Sequence, residues 1–413
     1  NEPALEADAA CEDACAVFFD ANADGKPDLF VASGGYDYFE PGDSALQNRL
    51  YLNEGSGKFK RSVNSIPKIF TSAGTVAVGH INADGFPDLF LGGRVVPGRY
   101  PEAPASYILL NNGKGIFRDA TKDVCPALTN AGMFSSAVFA DLNGDKKEEL
   151  ITAGEWLPVQ IWKSSNGKLE DRTSDFMENS STGWWNTLQV KDFNGDGKPD
   201  VIAGNHGLNC QWRASKKEPV EMLYKDFDDN GAIDPIFCYY IKGKSYPYVG
   251  RDELLEQMSI MRTRFTDYKS YADAGISNIF SPEELKGSKK LTATTLETKI
   301  WISNAAGKLV EKTLPVEAQF SPVFAISVND FNNDGKTDLL LGGNIKYSRV
   351  KVGLNESNLG QLFLGDGNGT FRYITQPLSG LNVRGAIRFF CTLDDVLLVG
   401  VNGQAVQAYQ IKR

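Results

Sequence analysis

The chain has 413 residues, of which 42% are hydrophobic and 23% are charged, and its formal net charge is −9. These values predict a soluble globular protein that can bury a large core. The absence of any run of about 18 apolar residues argues against a membrane-spanning helix. The acidic balance and the lack of a basic run argue against nucleic acid as a partner.

The start of the chain and its cysteines bear on the compartment. The sequence opens at Asn1 without a methionine and shows no signal peptide. We therefore expect a mature form or part of a longer polypeptide. Cys11 and Cys15 have the spacing of a local disulfide, and the other four cysteines are dispersed. This usage is compatible with an oxidising compartment but does not require one.

A nine-residue loop rich in carboxylates recurs six times, each copy leading into an apolar strand. A repeated unit of this kind predicts a repeat architecture. In chain order the copies are D-A-N-A-D-G-K-P-D from Asp20, H-I-N-A-D-G-F-P-D from His80, D-L-N-G-D-K-K-E-E from Asp141, D-F-N-G-D-G-K-P-D from Asp192, D-F-D-D-N-G-A-I-D from Asp226 and D-F-N-N-D-G-K-T-D from Asp330.

The loop has the ligand spacing of a calcium site. Positions 1, 3, 5 and 9 carry side-chain oxygens, and position 7 offers a backbone carbonyl, which are the ligand types calcium prefers. Four convergent oxygens would repel one another without a cation. The predicted calcium ligands are Asp20, Asn22, Asp24, Lys26 and Asp28; Asn82, Asp84 and Asp88; Asp141, Asn143, Asp145 and Glu149; Asp192, Asn194, Asp196, Lys198 and Asp200; Asp226, Asp228, Asn230, Ala232 and Asp234; and Asp330, Asn332, Asp334, Lys336 and Asp338.

Two copies depart from the pattern, and we expect weaker binding at both. His80 at position 1 favours softer metals, so its loop is the weakest calcium candidate, with an empty loop as the alternative. The third copy has Lys146 in place of glycine and Glu149 at position 9. The alternative for every copy is an Asx-type turn without metal. An EF-hand is excluded, because no copy has glutamate at position 12 and strands, not helices, follow.

Each repeat predicts four strands, with the loop between the first two. Seven such units, the last around residues 389–401 without loop ligands, indicate an all-β, seven-bladed β-propeller. The fourth unit is so short that we expect it to lack a strand. Residues 1–10 are expected to complete the last unit. The predicted third strands are residues 49–53, 107–111, 159–163, 299–303 (assigned to the fifth unit) and 361–365.

An insertion at residues 249–297 interrupts the fifth unit of this single 1–413 domain. Its apolar residues have helical spacing, and Pro282 after Ser281 is a good helix start. We expect a helical cap packed on the propeller; a lid or a docking element is the alternative. The apolar positions are Leu254, Leu255, Met258, Met261 and Phe265.

The repeats resemble the FG-GAP/VCBS unit of the integrin α-subunit propeller. The clearest copy is F-A-I-S-V-N-D-F-N-N-D-G-K-T-D-L-L-L-G-G at residues 324–343. Segments such as S-T-G-W-W-N at 181–186 and G-N-H-G-L-N at 204–209 are also similar to bacterial proteins related to the ASPIC/UnbV and cartilage-acidic-protein group. The resemblance implies a seven-bladed propeller with calcium in its loops. It does not fix a ligand.

Several aromatic and cationic side chains fall in loops expected on one face of the ring. Together they would suit sugar or peptide recognition. The alternative is that the tryptophans fill space between blades and that His206 is structural. The candidate ligand-binding residues are Arg94, Arg99, Trp184, Trp185, His206 and Trp212.

The sequence therefore predicts a secreted, cell-surface or periplasmic calcium-binding module that recognises protein or carbohydrate. The extracytoplasmic setting follows from the high calcium concentration such sites need. The alternative is a propeller lyase or hydrolase acting on polysaccharide. Catalysis has little support, because the chain has two histidines and no G-x-S-x-G sequence, and we assign no catalytic residue.

Overall fold

The computed structural model describes residues 2–346, 348 and 351–412. These residues form an all-β protein of seven antiparallel sheets with a few short helices. Sheets 1 to 3 follow one another along the chain. Sheet 1 contains β1 (Asp13–Phe19), β2 (Asp28–Ser33), β3 (Arg49–Gly55) and β4 (Lys58–Arg61); sheet 2 contains β5 (Ser72–Gly79), β6 (Asp88–Val95), β7 (Tyr107–Asn111) and β8 (Phe117–Asp119); sheet 3 contains β9 (Met133–Ala140), β10 (Glu149–Pro158), β11 (Gln160–Ser165), β12 (Lys168–Asp171) and β13 (Thr182–Trp184).

The remaining strands form four sheets, one of which is interrupted by another. Sheet 4 begins with β14 (Thr187–Lys191) and β15 (Asp200–Gly204); sheet 5 then contains β16 (Val220–Lys225), β17 (Asp234–Ile241), β18 (Lys244–Pro247) and β19 (Lys289–Ala293); β20 (Lys299–Ser303) and β21 (Leu309–Lys312) complete sheet 4; sheet 6 contains β22 (Val323–Asn329), β23 (Asp338–Gly343), β24 (Gln361–Gly365) and β25 (Phe371–Ile374); sheet 7 contains β26 (Ile387–Leu393), β27 (Val396–Val401) and β28 (Gln407–Gln410).

The helices in the described residues are short and lie before or between the strands. The α-helices are α1 (Pro3–Glu6), α2 (Thr121–Val124), α3 (Thr173–Phe176), α4 (Arg251–Gln257), α5 (Tyr268–Tyr271), α6 (Ile276–Ile279), α7 (Pro282–Leu285) and α8 (Gln376–Ser379), and 3-10 turns span Ser44–Leu46, Pro126–Leu128, Ser259–Thr263 and Val316–Gln319.

Sheet 4 is complete, which corrects the expectation that the fourth unit lacks a strand. Its third strand, β20, pairs with β15 through Val201 and Trp301. The sequence analysis assigned residues 299–303 to the fifth unit, because they follow the fifth loop in the chain. In the structure, sheet 5, with the helices that connect its β18 to its β19, is inserted between the second and third strands of sheet 4.

Six sheets are arranged in a row through their first strands. In this row β1 contacts β5, β5 contacts β9, β9 contacts β14, β14 contacts β22 and β22 contacts β26. The contact between sheets 4 and 6 is close, because a Cβ added at Gly204 would lie 2.6 Å from the Val323 carbonyl oxygen. Sheet 5 is not part of this row. Its β19 packs instead against β10 and β13 of sheet 3.

Sheet 5 separates a helical cap from a cluster of aromatic residues. On one face, Ile236 and Cys238 pack with the predicted apolar positions of the insertion, all of which are buried. On the other face, Met222 and Phe237 pack against Trp156 and other aromatic residues. The alternation along β17 places neighbouring residues on opposite faces. The helical insertion is thus a cap on sheet 5.

The N-terminal segment lies on sheet 1 and does not form a strand of sheet 7. Ala4 in α1 packs against Leu29, Val31 and Tyr51. The Tyr51 hydroxyl donates a 2.7 Å hydrogen bond to Asp8. The prediction that residues 1–10 complete the last unit is therefore wrong for residues 2–10, and Asn1 lies outside the described residues. Sheet 7 has three strands.

The cysteines are unpaired in this structure. All six have free thiols, including the two of the predicted local disulfide. Burial raises the pKa of Cys15 to about 12, so this thiol is poorly reactive in the folded chain.

Candidate functional site

In four of the six repeated loops, the ninth residue joins its loop to the third strand of its sheet. In the first copy, Asp28 is fully buried at the start of β2. Its Oδ2 atom accepts a 3.0 Å hydrogen bond from the Ala21 amide, which closes the loop. Its Oδ1 atom accepts a 2.7 Å bond from the Asn53 amide in β3. One carboxylate therefore fixes the loop to the third strand.

The same arrangement recurs in other sheets. Asp88, Asp200 and Asp338 each accept from the amide of the second loop residue and from an amide of the third strand. Asp234 differs, because its second donor is the side chain of Gln257 in α4. Burial raises the pKa of all these carboxyls, and the amide donors partly offset that rise.

The fifth loop brings three carboxylates closest together. Asp226, Asp228 and Asp234 each place an oxygen within 4.8 Å of the others. Asp226 accepts from the amides of Asn230 and Gly231. The Oδ1 atom of Asp228 is buried and has no hydrogen-bond partner among the described residues. A buried oxygen without a donor is costly, and a cation in this loop would supply the missing partner.

The second and third loops contain contacts that compete with a metal. In the third loop, the Lys163 ammonium lies 2.7 Å from Asp145 and 3.4 Å from Glu149. In the second loop, His80 Nδ1 lies 3.3 Å from Glu148. The Lys163 contacts would compete with a calcium ion for the same carboxylates. Weak or absent calcium binding at these two loops stays a prediction.

An aromatic cleft lies where sheet 3, sheet 5 and α4 meet. Its volume is about 810 Å³, and it is lined by Trp156, Trp184, Trp212, Phe237, Tyr248 and, at the rim, Glu253. The Trp184 ring centroid lies 5.1 Å from that of Trp156. The Trp212 centroid lies 5.3 Å from those of both Phe237 and Tyr248. These edge-to-face contacts are the favourable arrangement for aromatic rings.

Trp156 reaches the cleft through a strained bulge. The pairing of β10 with β13 is interrupted between Glu155 and Leu157, and Trp156 has a φ of 64°. A left-handed conformation is unusual for a bulky residue, and such strain clusters at functional sites. The Trp156 indole donates a 3.0 Å hydrogen bond to the Tyr100 hydroxyl, which fixes the ring.

A partly buried polar chain continues behind this wall. The Tyr100 hydroxyl donates a 2.7 Å hydrogen bond to Glu155. The other Glu155 oxygen lies 2.7 Å from the Arg94 guanidinium. Burial and the nearby Glu155 carboxylate raise the pKa of Tyr100 well above its usual value. Tyr100 is therefore a neutral donor, and Glu155 has its charge balanced by Arg94.

His206 lies against the same tryptophans. Its ring centroid is 5.1 Å from that of Trp184 and 6.0 Å from that of Trp212. Burial lowers the pKa of His206 to about 4, so the imidazole is neutral at physiological pH. A neutral histidine among aromatic rings supports the cleft wall and adds no charge to it.

The six predicted ligand-binding residues do not all come together. Trp184, His206 and Trp212 meet in or beside the cleft, and Arg94 lies behind it. Arg99 instead pairs with Glu102 and donates to the Gly231 carbonyl of the fifth loop. Trp185 is 1% exposed. It packs with Trp301 in the core between sheets 3 and 4.

Sequence reasoning missed several cleft residues. Glu155, Phe237, Tyr248 and Glu253 are separated along the chain and carry no shared motif. Phe237 and Tyr248 reach the cleft only because sheet 5 is inserted beside sheet 3. The aromatic run F-C-Y-Y from Phe237 was a usable signal, since alternate residues of a strand share one face.

The repeated carboxylate loops, each joining the first two strands of a sheet, define a class of β-repeat proteins. Residues 20–91 and 141–203 match the model of the FG-GAP-like repeat. The chain therefore carries repeats of the FG-GAP family, as the resemblance predicted. The finer likeness to the ASPIC/UnbV group stays a prediction.

Two solved structures are remotely similar to this chain. The crystal structure of BBS1N in complex with ARL6DN, soaked with lead, is 8% identical with a TM-score of 0.34, covering 98% of this chain and 93% of that one. The V. cholerae biofilm matrix protein Bap1 is 12% identical with a TM-score of 0.31, covering 98% and 88%. Neither likeness bears on function. No curated protein matches the sequence significantly.

Within the described residues, no helix combines the length and the apolar content that crossing a bilayer requires.

Proposed function

We propose that this protein is a β-propeller-like binding module whose ligand enters the aromatic cleft. The observation that carries the proposal is Trp156, which stands at a bulge with a φ of 64° and forms part of the cleft wall. Strain of this kind costs about 1–3 kcal/mol and persists only where the surrounding structure imposes it. Binding is a reason for retaining it.

The composition of the cleft supports the same conclusion. Small-molecule and peptide sites are concave, mostly apolar and lined by a few polar groups. The aromatic cleft has this character, with tryptophan and tyrosine rings beside carboxylates at its rim. We infer a ligand that is a protein segment or a carbohydrate, because both are recognised by aromatic stacking combined with hydrogen bonds.

We further infer that calcium braces the sheets. The residues of the fifth loop fit the ion, because Asp228 presents an orphaned buried oxygen beside two more carboxylates. Asp226, Asp228, Asn230, Asp234 and the Ala232 carbonyl would hold it. Calcium would neutralise these carboxylates and stiffen the loop. The loops that begin at Asp20, Asp192 and Asp330 have equivalent donors, and we assign calcium to them on the same chemistry.

The finer predictions of architecture and location remain part of this proposal. Seven sheets are present, and six of them are ordered by their first strands, which supports a propeller arrangement. The closed ring and its count of seven blades stay predictions; because sheet 5 lies outside the row, the row accounts for six of those blades. We place the protein outside the cytoplasm, because weak calcium sites, such as those of extracellular modules, fill only where free calcium is high.

Glycan and peptide arrays probed with wild-type protein and one pair of variants test the function. Tyr248→Ala removes a cleft wall, whereas Tyr246→Ala, two residues away on sheet 5, removes an aromatic residue outside the cleft. We expect a bound ligand whose affinity falls about tenfold or more in Tyr248→Ala and is unchanged in Tyr246→Ala. If Tyr248→Ala and Tyr246→Ala bind the ligand equally well, the cleft is not the binding site. A cleaved product in the glycan arm contradicts a function limited to binding and favours the polysaccharide enzyme.

A further inference from the structure

The charged side chains that line the aromatic cleft are all carboxylates. Three carboxylates, those of Glu155, Glu253 and Glu256, line it, and no lysine, arginine or histidine is found among its described lining residues. Glu155 faces Arg94 on its far side. Glu256 lies one turn after Glu253 on α4, so both point to the same side of that helix. An aromatic pocket with carboxylates at its rim is complementary to a cation.

The protein itself already places an ammonium group at this rim. The Lys351 Nζ atom lies 4.5 Å from the centroid of the Tyr248 ring. It donates a 2.9 Å hydrogen bond to Glu253 and a 2.6 Å bond to the Tyr248 carbonyl. A ring face, a carboxylate and a carbonyl thus form a complete ammonium subsite. Lys351 follows β23 on a different sheet, so this contact joins sheet 6 to the cleft.

Val352, the residue after Lys351, also covers part of the cleft. The side chain of Val352 packs with the aromatic cluster and lines the cleft. The Lys351 carbonyl accepts a 2.7 Å hydrogen bond from the Gln211 amide. The Lys351 side chain remains substantially exposed, at 42%. An exposed lysine loses little when it leaves such a contact, because water solvates its ammonium group.

We propose that the aromatic cleft binds an organic cation, an alkylated ammonium group, and that Lys351 fills the ammonium subsite until the ligand displaces it. This inference rests on the proposed binding function and names its ligand class. Trimethylated ammonium suits the subsite better than primary ammonium does. Its charge is spread over methyl groups, so it loses less hydration on entering an aromatic pocket.

Isothermal titration of the full chain with choline tests the charge requirement. Its matched control is 3,3-dimethylbutan-1-ol, which has the same shape without the charge. We expect choline to bind at least about fivefold more tightly. Equal binding of the two compounds overturns the proposal. Parallel titrations with phosphocholine and with Nα-acetyl-trimethyllysine methylamide distinguish a lipid or osmolyte headgroup from a modified peptide side chain as the source.

Two pairs of variants test the residues. Lys351→Met removes the internal competitor and should tighten choline binding about threefold to tenfold, whereas Lys346→Met, in the same connection between β23 and β24, should not. Glu256→Gln should weaken binding roughly threefold to fivefold, and Glu283→Gln on α7 should not. Identical affinities within either pair overturn the proposal.

The inference can fail without the proposed function failing. An uncharged glycan or peptide that binds the cleft, with loss of affinity in Tyr248→Ala, while choline does not bind, overturns the organic-cation assignment alone. If no ligand class binds in a Tyr248-dependent manner, both the assignment and the proposed function are wrong.

Discussion

Asp200 and Ser303 are 103 residues apart in the chain, and the Asp200 Oδ1 atom accepts a 2.7 Å hydrogen bond from the Ser303 amide. Asp200 begins β15 and Ser303 ends β20. The bond therefore holds together two strands of sheet 4 that are separated by the whole of sheet 5 and its helices. The ninth loop carboxylate performs in this sheet the same role that Asp28 performs in sheet 1.

Replacing Asp200 with asparagine should weaken the fold even without metal. The Asn amide would point a donor at a backbone donor, and an unsatisfied buried group costs about 1–3 kcal/mol. Urea unfolding in the presence of a chelator measures this cost directly. Asp37→Asn, at an exposed position after β2, is the control and should change the free energy of unfolding by less than about 0.5 kcal/mol. Equal stability of the two variants would contradict the structural role.

Calcium should raise the melting temperature, and chelation should reverse the rise. A site at a hundredfold excess of free calcium over Kd stabilises the native state by about 2.7 kcal/mol. Asp228→Ala should lower this calcium-dependent gain while leaving the stability in chelator unchanged or higher, because the carboxylate repulsion is relieved. Asn82→Ala, at the same position of the His80 loop, should leave the gain intact. A melting temperature independent of calcium, with no calcium by elemental analysis, would defeat the metal proposal.

Acid should destabilise the protein through His206. Its folded-state pKa is about 4, below the unfolded value of about 6.5. As the pH falls from about 6.5 towards 4, the unfolded chain binds a proton that the folded chain does not, so stability decreases with falling pH. Between about pH 6.5 and about pH 4, the free energy of unfolding should fall in both proteins. We expect the fall to be about 1–3 kcal/mol smaller in His206→Gln than in wild type. Urea unfolding in chelator at several pH values measures it, with His80→Gln as the control. If the two variants have the same pH dependence, the burial of His206 is not its cause.

Gly204→Ala should be among the more damaging single changes. The added Cβ would lie 2.6 Å from the Val323 carbonyl oxygen, and sheets 4 and 6 would have to move apart. Overpacking of this kind costs about 1–3 kcal/mol or more. Gly250→Ala is a suitable control, because its φ is −74° and its nearest neighbour would be 3.5 Å away. Thermal melting of both variants distinguishes a close sheet contact from a general effect of losing glycine.

The sequence predicted the repeats well because the conformation of each loop depends on residues within the loop. Asp20, Asn22, Asp24 and Asp28 lie within nine residues, and local hydrogen bonds fix the turn. The all-β class and the strands beside each loop followed from this pattern. The helical cap was also predictable, since Leu254 and its apolar neighbours have helical spacing.

The nesting of sheet 5 within sheet 4 could not be predicted from the same signals. The strand at 299–303 has the pattern of any third strand. No residue near it in the sequence indicates that it pairs with β15, from which sheet 5 and its helices separate it. The cleft was missed for the same reason. Its wall combines Trp156, Trp212 and Tyr248, which come from different sheets and loops, so their proximity depends on tertiary packing alone.

The chain leaves sheet 4 after β15 and returns to it at β20, and these two points are adjacent. Ala203 in β15 pairs with Lys299 in β20. The Asn205 side chain donates to the carbonyls of Thr295 and Glu297, at 3.3 and 3.2 Å. A segment whose two ends meet can be inserted without interrupting the pairing of the strands that flank it. Replacing residues 206–296 would therefore leave β15 paired with β20 while changing the part of the aromatic cleft that Trp212, Phe237 and Tyr248 supply. Ligand specificity and strand pairing are thus carried by different parts of the chain.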